Sequence, residues 1–482
     1  MPFKFDNTYL TQNKSLYTEV APTEVGDPIV AIFNNALANQ LGLDIKGLEE
    51  QILADYFSGN KLITGSQPIA QAYAGHQFGY FNTLGDGRAI LLGEHITPNG
   101  KRFDIQLKGS GSTPYSRRGD GRATLSSMLR EYIISEAMFF LGIPTTRSLA
   151  VIRTGENIYR ESALPGAVLT RIAASHIRVG TFEYVSSFHS KEILHQFTTY
   201  TIQRHYPEII SAENPALALL KKVMENQIKL IVDWMRVGFI HGVMNTDNMS
   251  IAGETIDYGP CAFMNVYDPA TVFSSIDTGG RYAFAKQPEI ALWNITRLAE
   301  ALLALIDDNQ EKAIEKATSI LQTFSIQFNE IYVGMMRKKL GMTDAQVGDD
   351  KIISSLLDWM HHNKADYTNT FIQLSVPDFS TSEIYQQQAF IIWLADWKKR
   401  IKVENGIPKA SLELMQKSNP VYIPRNHNVE AALKQAQKKG DLTLFNELLQ
   451  LLSKPYNYKE MNPLFQSVPE QHDDSYKTYC GT

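Results

Sequence analysis

Residues 241–260 read HGVMNTDNMSIAGETIDYGP, a span that gathers His241, Asp247, Asn248 and Asp257 with three glycines and a proline. Within it, two short β-like runs flank Gly253-Glu254, which predicts a small hairpin. If Ala252 opposes Thr255, then Ser250 opposes Asp257, and Asn248 and Asp257 become diagonal neighbours on one face. An amide oxygen and a carboxylate are hard donors suited to Mg²⁺, which takes few protein ligands and completes its shell with water and phosphate. Asp247 would then point away from the metal face, where its carboxylate can accept a hydroxyl proton. His241 follows an apolar helix and reads as a structural histidine. Asn and Asp also populate turns through bonds to their own backbone, so the pair by itself is weak.

The same stretch follows the spacing of a kinase catalytic loop, His-x-Asp, four residues, then Asn. His241 and Asn248 fall in place, but Val243 stands where the acid belongs. Either the loop serves a non-catalytic nucleotide-binding scaffold, or the chemistry has moved to another carboxylate.

Upstream, between about residues 70 and 185, the chain is glycine-rich, with β-like runs RAILLGE, RFDIQLKG, RSLAVIRT and GAVLTRIA and one helical stretch near 122–141. From about residue 190 helical patterns dominate. NPALALLKKVMENQIKLIVDWMRVGF offers Asn214 as N-cap, Pro215 at the first helical position, an apolar stripe of Leu220, Met224, Ile228, Ile231 and Met235, and Gly238 as terminator. This is an α+β, two-lobed pattern, β-rich first and helical after. Nucleotide clefts often lie between such lobes.

Cationic and glycine-rich elements supply candidate phosphate contacts. Gly85 and Gly87 in LGDGRAILLGE predict a tight turn that lets backbone approach a nucleotide, with Arg88 adding charge. In RFDIQLKGSG, Phe103, Ile105 and Leu107 alternate with Asp104, Gln106 and Lys108, which places Lys108 on the polar side of a strand, by default the solvent side. A second Gly-Asp-Gly, with Asp120 and Gly121, precedes a helix whose first amides can receive an anion. That helix supplies Glu131 as partner of the lysine, as in the kinase Lys–Glu ion pair. Glu136 competes for the role from farther along the helix. Arg171 and Arg178, with Lys108, hold more positive charge than transfer of one phosphoryl group needs, which suggests a larger leaving anion.

Together these residues resemble the selenoprotein O family of kinase-like protein adenylyltransferases. YAGHQFG, LGDGRA, QLKGSG, YSRRGDGRATL, REYIISEAM, LTRIA, HGVMNTDN and DYGPCAF occur in the family's order along nearly the whole chain. The resemblance implies a protein-kinase-like fold, a single domain over 1–482. Its β-rich N-lobe and extension would end at about 187, and a helical C-lobe with a tail would begin at about 188. The nucleotide would lie between the lobes in a flipped orientation, so that AMP passes from ATP to a Ser, Thr or Tyr hydroxyl of a protein and pyrophosphate leaves; UMP transfer from UTP is a family alternative. Carried over motif by motif, Gly85, Gly87, Arg88, Lys108, Asp120, Gly121, Arg171 and Arg178 would contact the nucleotide. Asn248 and Asp257 would hold Mg²⁺ or Mn²⁺, Asp247 would take the proton, and Glu131 would fix the lysine. Ordinary γ-phosphoryl transfer is the competing activity.

The 482-residue chain is 44% hydrophobic, enough for a sizeable core, and its 46 Lys plus Arg nearly balance 51 Asp plus Glu. A formal charge of -5 gives no reason to expect nucleic-acid or membrane partners. The start MPFKFDNTYL shows no basic-then-apolar leader and no apolar run approaches a membrane span, so the expectation is a cytoplasmic protein. Cys261 and Cys480 allow one bridge, but in a reducing cytosol two free thiols are expected.

Overall fold

A computed structural model describes residues 3–377, 382–404, 406–469 and 476–479. Among them the first part of the chain is a nine-stranded sheet, antiparallel at every described pairing. Its strands are β1 (Tyr17–Glu19), β2 (Ile29–Phe33), β3 (Ile69–Gln77), β4 (Tyr80–Gly85), β5 (Ala89–Ile96), β6 (Arg102–Lys108), β7 (Ala123–Thr124), β8 (Arg147–Tyr159) and β9 (Ala163–Ala173). They run in the order β1-β3-β5-β6-β9-β8-β2, with β4 on β3 and β7 on β9. Both β1 and β2 lie ahead of the β-rich stretch read from sequence.

Helices α1 (Asn35–Leu41) and α2 (Glu50–Ser58) cover one face, where Ile105 and Leu107 of β6 join Leu37, Phe57, Leu149 and Val168 in a compact apolar cluster. On the other face lie α3 (Leu125–Phe140) and α4 (Val179–Phe188). Thr124 caps α3 by accepting from the Ser127 amide. After α5 (Lys191–His205), α6 (Pro215–Arg236) starts as its sequence predicts, with Asn214 Oδ1 accepting from Leu217 N at 2.9 Å and the apolar stripe buried. Gly238 follows at φ +73°. Helix α7 (Gln287–Ile306) packs on α6, and further helices continue from Gln310–Leu321 to Pro463–Gln466. The molecule is therefore α+β, with a mostly antiparallel sheet followed by a helical part. No helix among the described residues is long and apolar enough to cross a membrane.

Two expectations fail. The hairpin over 248–257 does not form: Ser250 bridges Arg178 and Thr255 bridges Thr145, while the two-stranded ribbon pairs β10 (Phe239–Ile240) with β11 (Ala262–Phe263). Each run found a partner in the sheet part of the chain, contacts that local alternation does not encode. The polar face of β6 also does not meet solvent. Asp104, Gln106 and Lys108 are all buried, the last at 6% exposure.

Burying that face requires counter-charges. Arg204 of α5 donates to Asp104 Oδ1 at 2.5 Å and lies 2.8 Å from Glu94 Oε2, while His176 donates its backbone amide to Asp104 Oδ2 at 2.9 Å. Burial pushes the Asp104 carboxyl up, yet Arg204 and His176 outweigh it and hold it below the usual range. Arg204→Ala would remove a cation from two buried carboxylates, leaving Glu94 with Arg102 and Asp104 with His176, and should cost about 3 kcal/mol, read as a lower urea midpoint.

Candidate active site

Lys108 from β6, Glu131 from α3, Arg171 from β9 and Asp257 from the loop after α6 meet in one closed set. Lys108 Nζ lies 2.7 Å from both Glu131 Oε2 and Asp257 Oδ1. Arg171 Nη2 lies 2.5 Å from both Glu131 Oε1 and Asp257 Oδ1. The Lys108–Glu131 pair is thus present, and Glu136 is engaged elsewhere, with Arg147 at 2.6 Å and Asn34 at 2.8 Å. Burial opposes ionisation of Asp257, but Arg171, Lys108 and Arg178 hold its carboxyl well below the ordinary value. Its backbone is left-handed, φ +62°, an unfavourable state for a non-glycine residue.

Arg178, just ahead of α4, reaches Asp86 Oδ1 at 3.6 Å and lies over the Tyr73 ring, 4.4 Å from its centroid. Asp86 is buried and also accepts from the Gln71 amide at 3.1 Å. Three cations therefore face three carboxylates, Glu131, Asp257 and Asp86. This corrects the expected surplus of positive charge: the resting site is close to electrically balanced, because Asp86, read as a turn residue, is a counter-ion.

The two glycine motifs also differ from expectation. A Cβ on Gly85 would sit 2.3 Å from the Tyr115 ring, and one on Gly87 would sit 2.9 Å from the Tyr115 carbonyl oxygen. Close approach is needed there, but by the chain's own Thr113–Ser116 segment, which donates from Thr113 Oγ1 to Asp86 O at 2.6 Å. Asp120 and Gly121 do not directly precede a helix; β7 intervenes and Thr124 takes the Ser127 amide of the first turn. Asp120 instead binds Arg160 in a two-pronged pair, 2.8 and 3.0 Å, and the Arg122 amide at 2.9 Å. Arg88 lines a cavity of about 390 Å³ with Lys108, Glu131, Tyr258 and Gly259.

Asp247 sits in a short helical turn, Thr246–Asn248, clamped from the β3–β4 hairpin. His76 N donates to Thr246 Oγ1 at 2.7 Å, and Phe78 N donates to Asn245 Oδ1 at 3.1 Å. A Cβ on Gly75 would stand 2.7 Å from Asp247 Oδ1, and one on Gly180 would stand 2.0 Å from the Ala74 carbonyl oxygen, so both glycines provide clearance for this loop. Asp247 Oδ1 is sealed from solvent and has no hydrogen-bond partner. Burial pushes this carboxyl up to about 7. Beside it, Asn248 donates Nδ2 to Val243 O at 2.9 Å, which leaves Oδ1 as its outward donor atom. His241 is buried, stacked on Trp234 and bonded through Nε2 to Ile256 O at 2.9 Å, a structural histidine.

Sequence reasoning missed Asp86, Tyr73, Gly75, Asn245 and Thr246. The YAGHQFG and LGDGRA motifs contained the first three, but only packing reveals what they touch. No group of three or more His, Cys, Asp or Glu side chains able to hold a metal occurs among the described residues. A phosphate-bound Mg²⁺ needs only one or two protein ligands. The hairpin register that would set Asn248 beside Asp257 is absent, but both side-chain hydrogen bonds on Asp257 fall on Oδ1, and Oδ2 and Asn248 Oδ1 are hard oxygen donors of the kind such a cation takes. Cys261 is buried, which pushes its thiol up to about 12, and Cys480 lies outside the described residues.

Asp247 holds its proton to about pH 7 in the fold but releases it near the ordinary 3.8 when unfolded. The folded state therefore binds more protons in that window, and its stability falls as pH rises from 4 toward 7. Thermal melts at pH 5 and pH 8, chosen about this window, should show Asp247→Asn losing less stability than the parent and exceeding it at the higher pH.

Comparison with known proteins identifies the family. Residues 1–453 match the family model described as protein adenylyltransferase SelO. A protein of Nitrosococcus oceani described as protein nucleotidyltransferase YdiU is 55% identical over 478 residues, covering 99% of this chain and 97% of that one. Counterparts with the same description occur in Syntrophotalea carbinolica, 53% identical over 100% of this chain and 98% of that one, and in Pelagibacter ubique, 52% identical over 99% of each. With agreement along almost its entire length, the chain belongs to the SelO family of protein adenylyltransferases.

Proposed function

We propose that this protein is an enzyme that moves AMP from ATP to a Ser, Thr or Tyr hydroxyl of a protein, on a kinase-like fold whose nucleotide site lies between the sheet part and the helical part. UTP, giving UMP transfer, is a second substrate of the same chemistry. The observation that carries the reading is Asp247, a carboxyl with a buried, unpartnered oxygen and a pKa pushed up to about 7, one residue from the Asn248 donor. A general base poised near neutrality is what proton removal from a hydroxyl requires. Val243, buried at 6% exposure, offers nothing of the kind at the position where a kinase places its acid.

In this mechanism the acceptor oxygen attacks the α-phosphorus while Asp247 takes its proton. The bond between the α-phosphorus and the bridging oxygen breaks, and pyrophosphate leaves with the electron pair. Lys108, Arg171 and Arg178 stabilise the departing anion, and Glu131 keeps the first two in place. Asn248 and Asp257 would hold Mg²⁺ or Mn²⁺, which when bound would supply positive charge that the balanced ion set lacks. Arg88, which lines the cavity with Lys108 and Glu131, would meet the rest of the nucleotide, while Gly85, Gly87, Asp120 and Gly121 would shape the segments behind it. The need for ATP fits a cytoplasmic location.

Incubation with ATP labelled at either the α or the γ phosphate tests the reading. Label should reach protein from the α position only and vanish on chelation or in Asp257→Ala; transfer from the γ position alone would make the protein a kinase. Asp247→Ala should lower kcat by about a hundred- to ten-thousand-fold with ATP binding retained, as expected for loss of a general base; unchanged kcat would remove Asp247 from the role.

A further inference from the structure

The clamp on the Asp247 loop has an outer side that nucleotide chemistry does not use. Tyr282 donates its hydroxyl to Asn245 Oδ1 at 2.6 Å and packs its ring against Phe78, 5.1 Å between centroids. The adjoining Arg281 lies over the face of Trp293 at 4.8 Å and against the Tyr282 ring at 5.8 Å, and its guanidinium reaches the Tyr282 hydroxyl. Its Nε is buried without a partner. Asp277 caps only the backbone here, accepting from Arg281 N and Tyr282 N at 2.8 Å each. Among the described residues no carboxylate comes within 4.0 Å of the Arg281 guanidinium. Arg297, which shares Trp293, is by contrast neutralised by Glu300 at 2.7 Å.

From Arg281 a strip of rings leads across the surface. Trp293 meets His76 edge-on at 5.2 Å, His76 meets Phe81 at 5.3 Å, and Phe81 stacks on Phe188 at 6.3 Å. Phe81 and Phe188 are 41% and 51% exposed. His76, in the middle of the strip, is bonded by its backbone to Thr246 beside Asp247. An arginine whose plane is held by aromatic rings and whose donors lack an internal anion is prepared for a planar or tetrahedral anion from outside.

We propose that Arg281 determines acceptor specificity by binding an anionic side chain, carboxylate or phosphate, that flanks the target hydroxyl in the acceptor protein, while the aromatic strip seats the adjoining segment. This rests on the nucleotidyl-transfer reading above. Its position one contact from the Asp247 loop sets the register between bound anion and attacked hydroxyl.

Short synthetic peptides carrying one acceptor hydroxyl, with Glu, phosphoserine, Gln or Lys placed in turn at each flanking position, test this on the full chain with α-labelled ATP and Mg²⁺. At one position Glu and phosphoserine peptides should exceed the Lys peptide about tenfold in kcat/KM through peptide KM, an effect typical of a charge contact. Separate Glu and phosphoserine series tell which anion is preferred. Arg281→Glu should reverse the order in favour of Lys, which a merely structural role would not do. Should that variant fail to fold, Arg281→Gln must abolish the preference. Equal kcat/KM for Glu, Gln and Lys peptides, or an unchanged preference in either variant, overturns the proposal. Anisotropy of the same peptides bearing fluorescein, with a non-hydrolysable ATP analogue, reads recognition without transfer. Charge-selective binding in the absence of label transfer would sink the transfer reading and leave this one standing; charge-blind binding would overturn this one.

Discussion

The constraint on which the structure turns is the burial of β6's polar face. Asp104, Gln106 and Lys108 are buried, with side chains of α3 and α5 reaching them, where an unpaired charge is prohibitive. Each is met from a different element: Asp104 by Arg204 and His176, Gln106 by Arg171, Lys108 by Glu131 and Asp257. These contacts fix α3, α5, β9 and the 257 loop relative to one strand. Networks of this kind are weak sources of net stability, since well-packed apolar replacements often do as well.

Charge balance gives that network a second property. With Glu131, Asp257 and Asp86 opposing Lys108, Arg171 and Arg178, the cations are already held by fixed anions before any nucleotide arrives. A polyphosphate entering such a site competes with carboxylates for the same donors. A divalent cation bound at Asp257, as proposed above, would shift that competition, because Lys108 and Arg171 share that carboxylate. Asp247, whose buried Oδ1 has no partner, is pushed up to about 7 by burial against the opposing pull of Arg178.

The loop holding Asp247 depends on backbone clearance. Gly75 and Gly180 let β3 and the start of α4 approach it more closely than any side chain permits, and Thr246 and Asn245 then bind the hairpin's amides. The same hairpin carries His76 and Phe81 into the aromatic strip, so one hairpin positions both the Asp247 loop and the surface beside it.

Much of this was legible in the chain itself. The 3.6-residue stripe and Asn214-Pro215 start defined α6, the alternation of Phe103, Ile105 and Leu107 defined the apolar face of β6, and motif order identified the family. Spacing also picked out Lys108 and Glu131, because a strand lysine and a helix acid at that separation have few ways to meet. What sequence could not supply was partnership across long separations. Alternation marks one side of β6 as polar but does not say whether solvent or Arg204 lies opposite, and the runs around Gly253 look like a hairpin because their true partners, Arg178 and Thr145, are far away in the chain. Residue type and local period are properties of the sequence; which charges neutralise each other, and which glycine stands against which side chain, are distances set only when the elements pack.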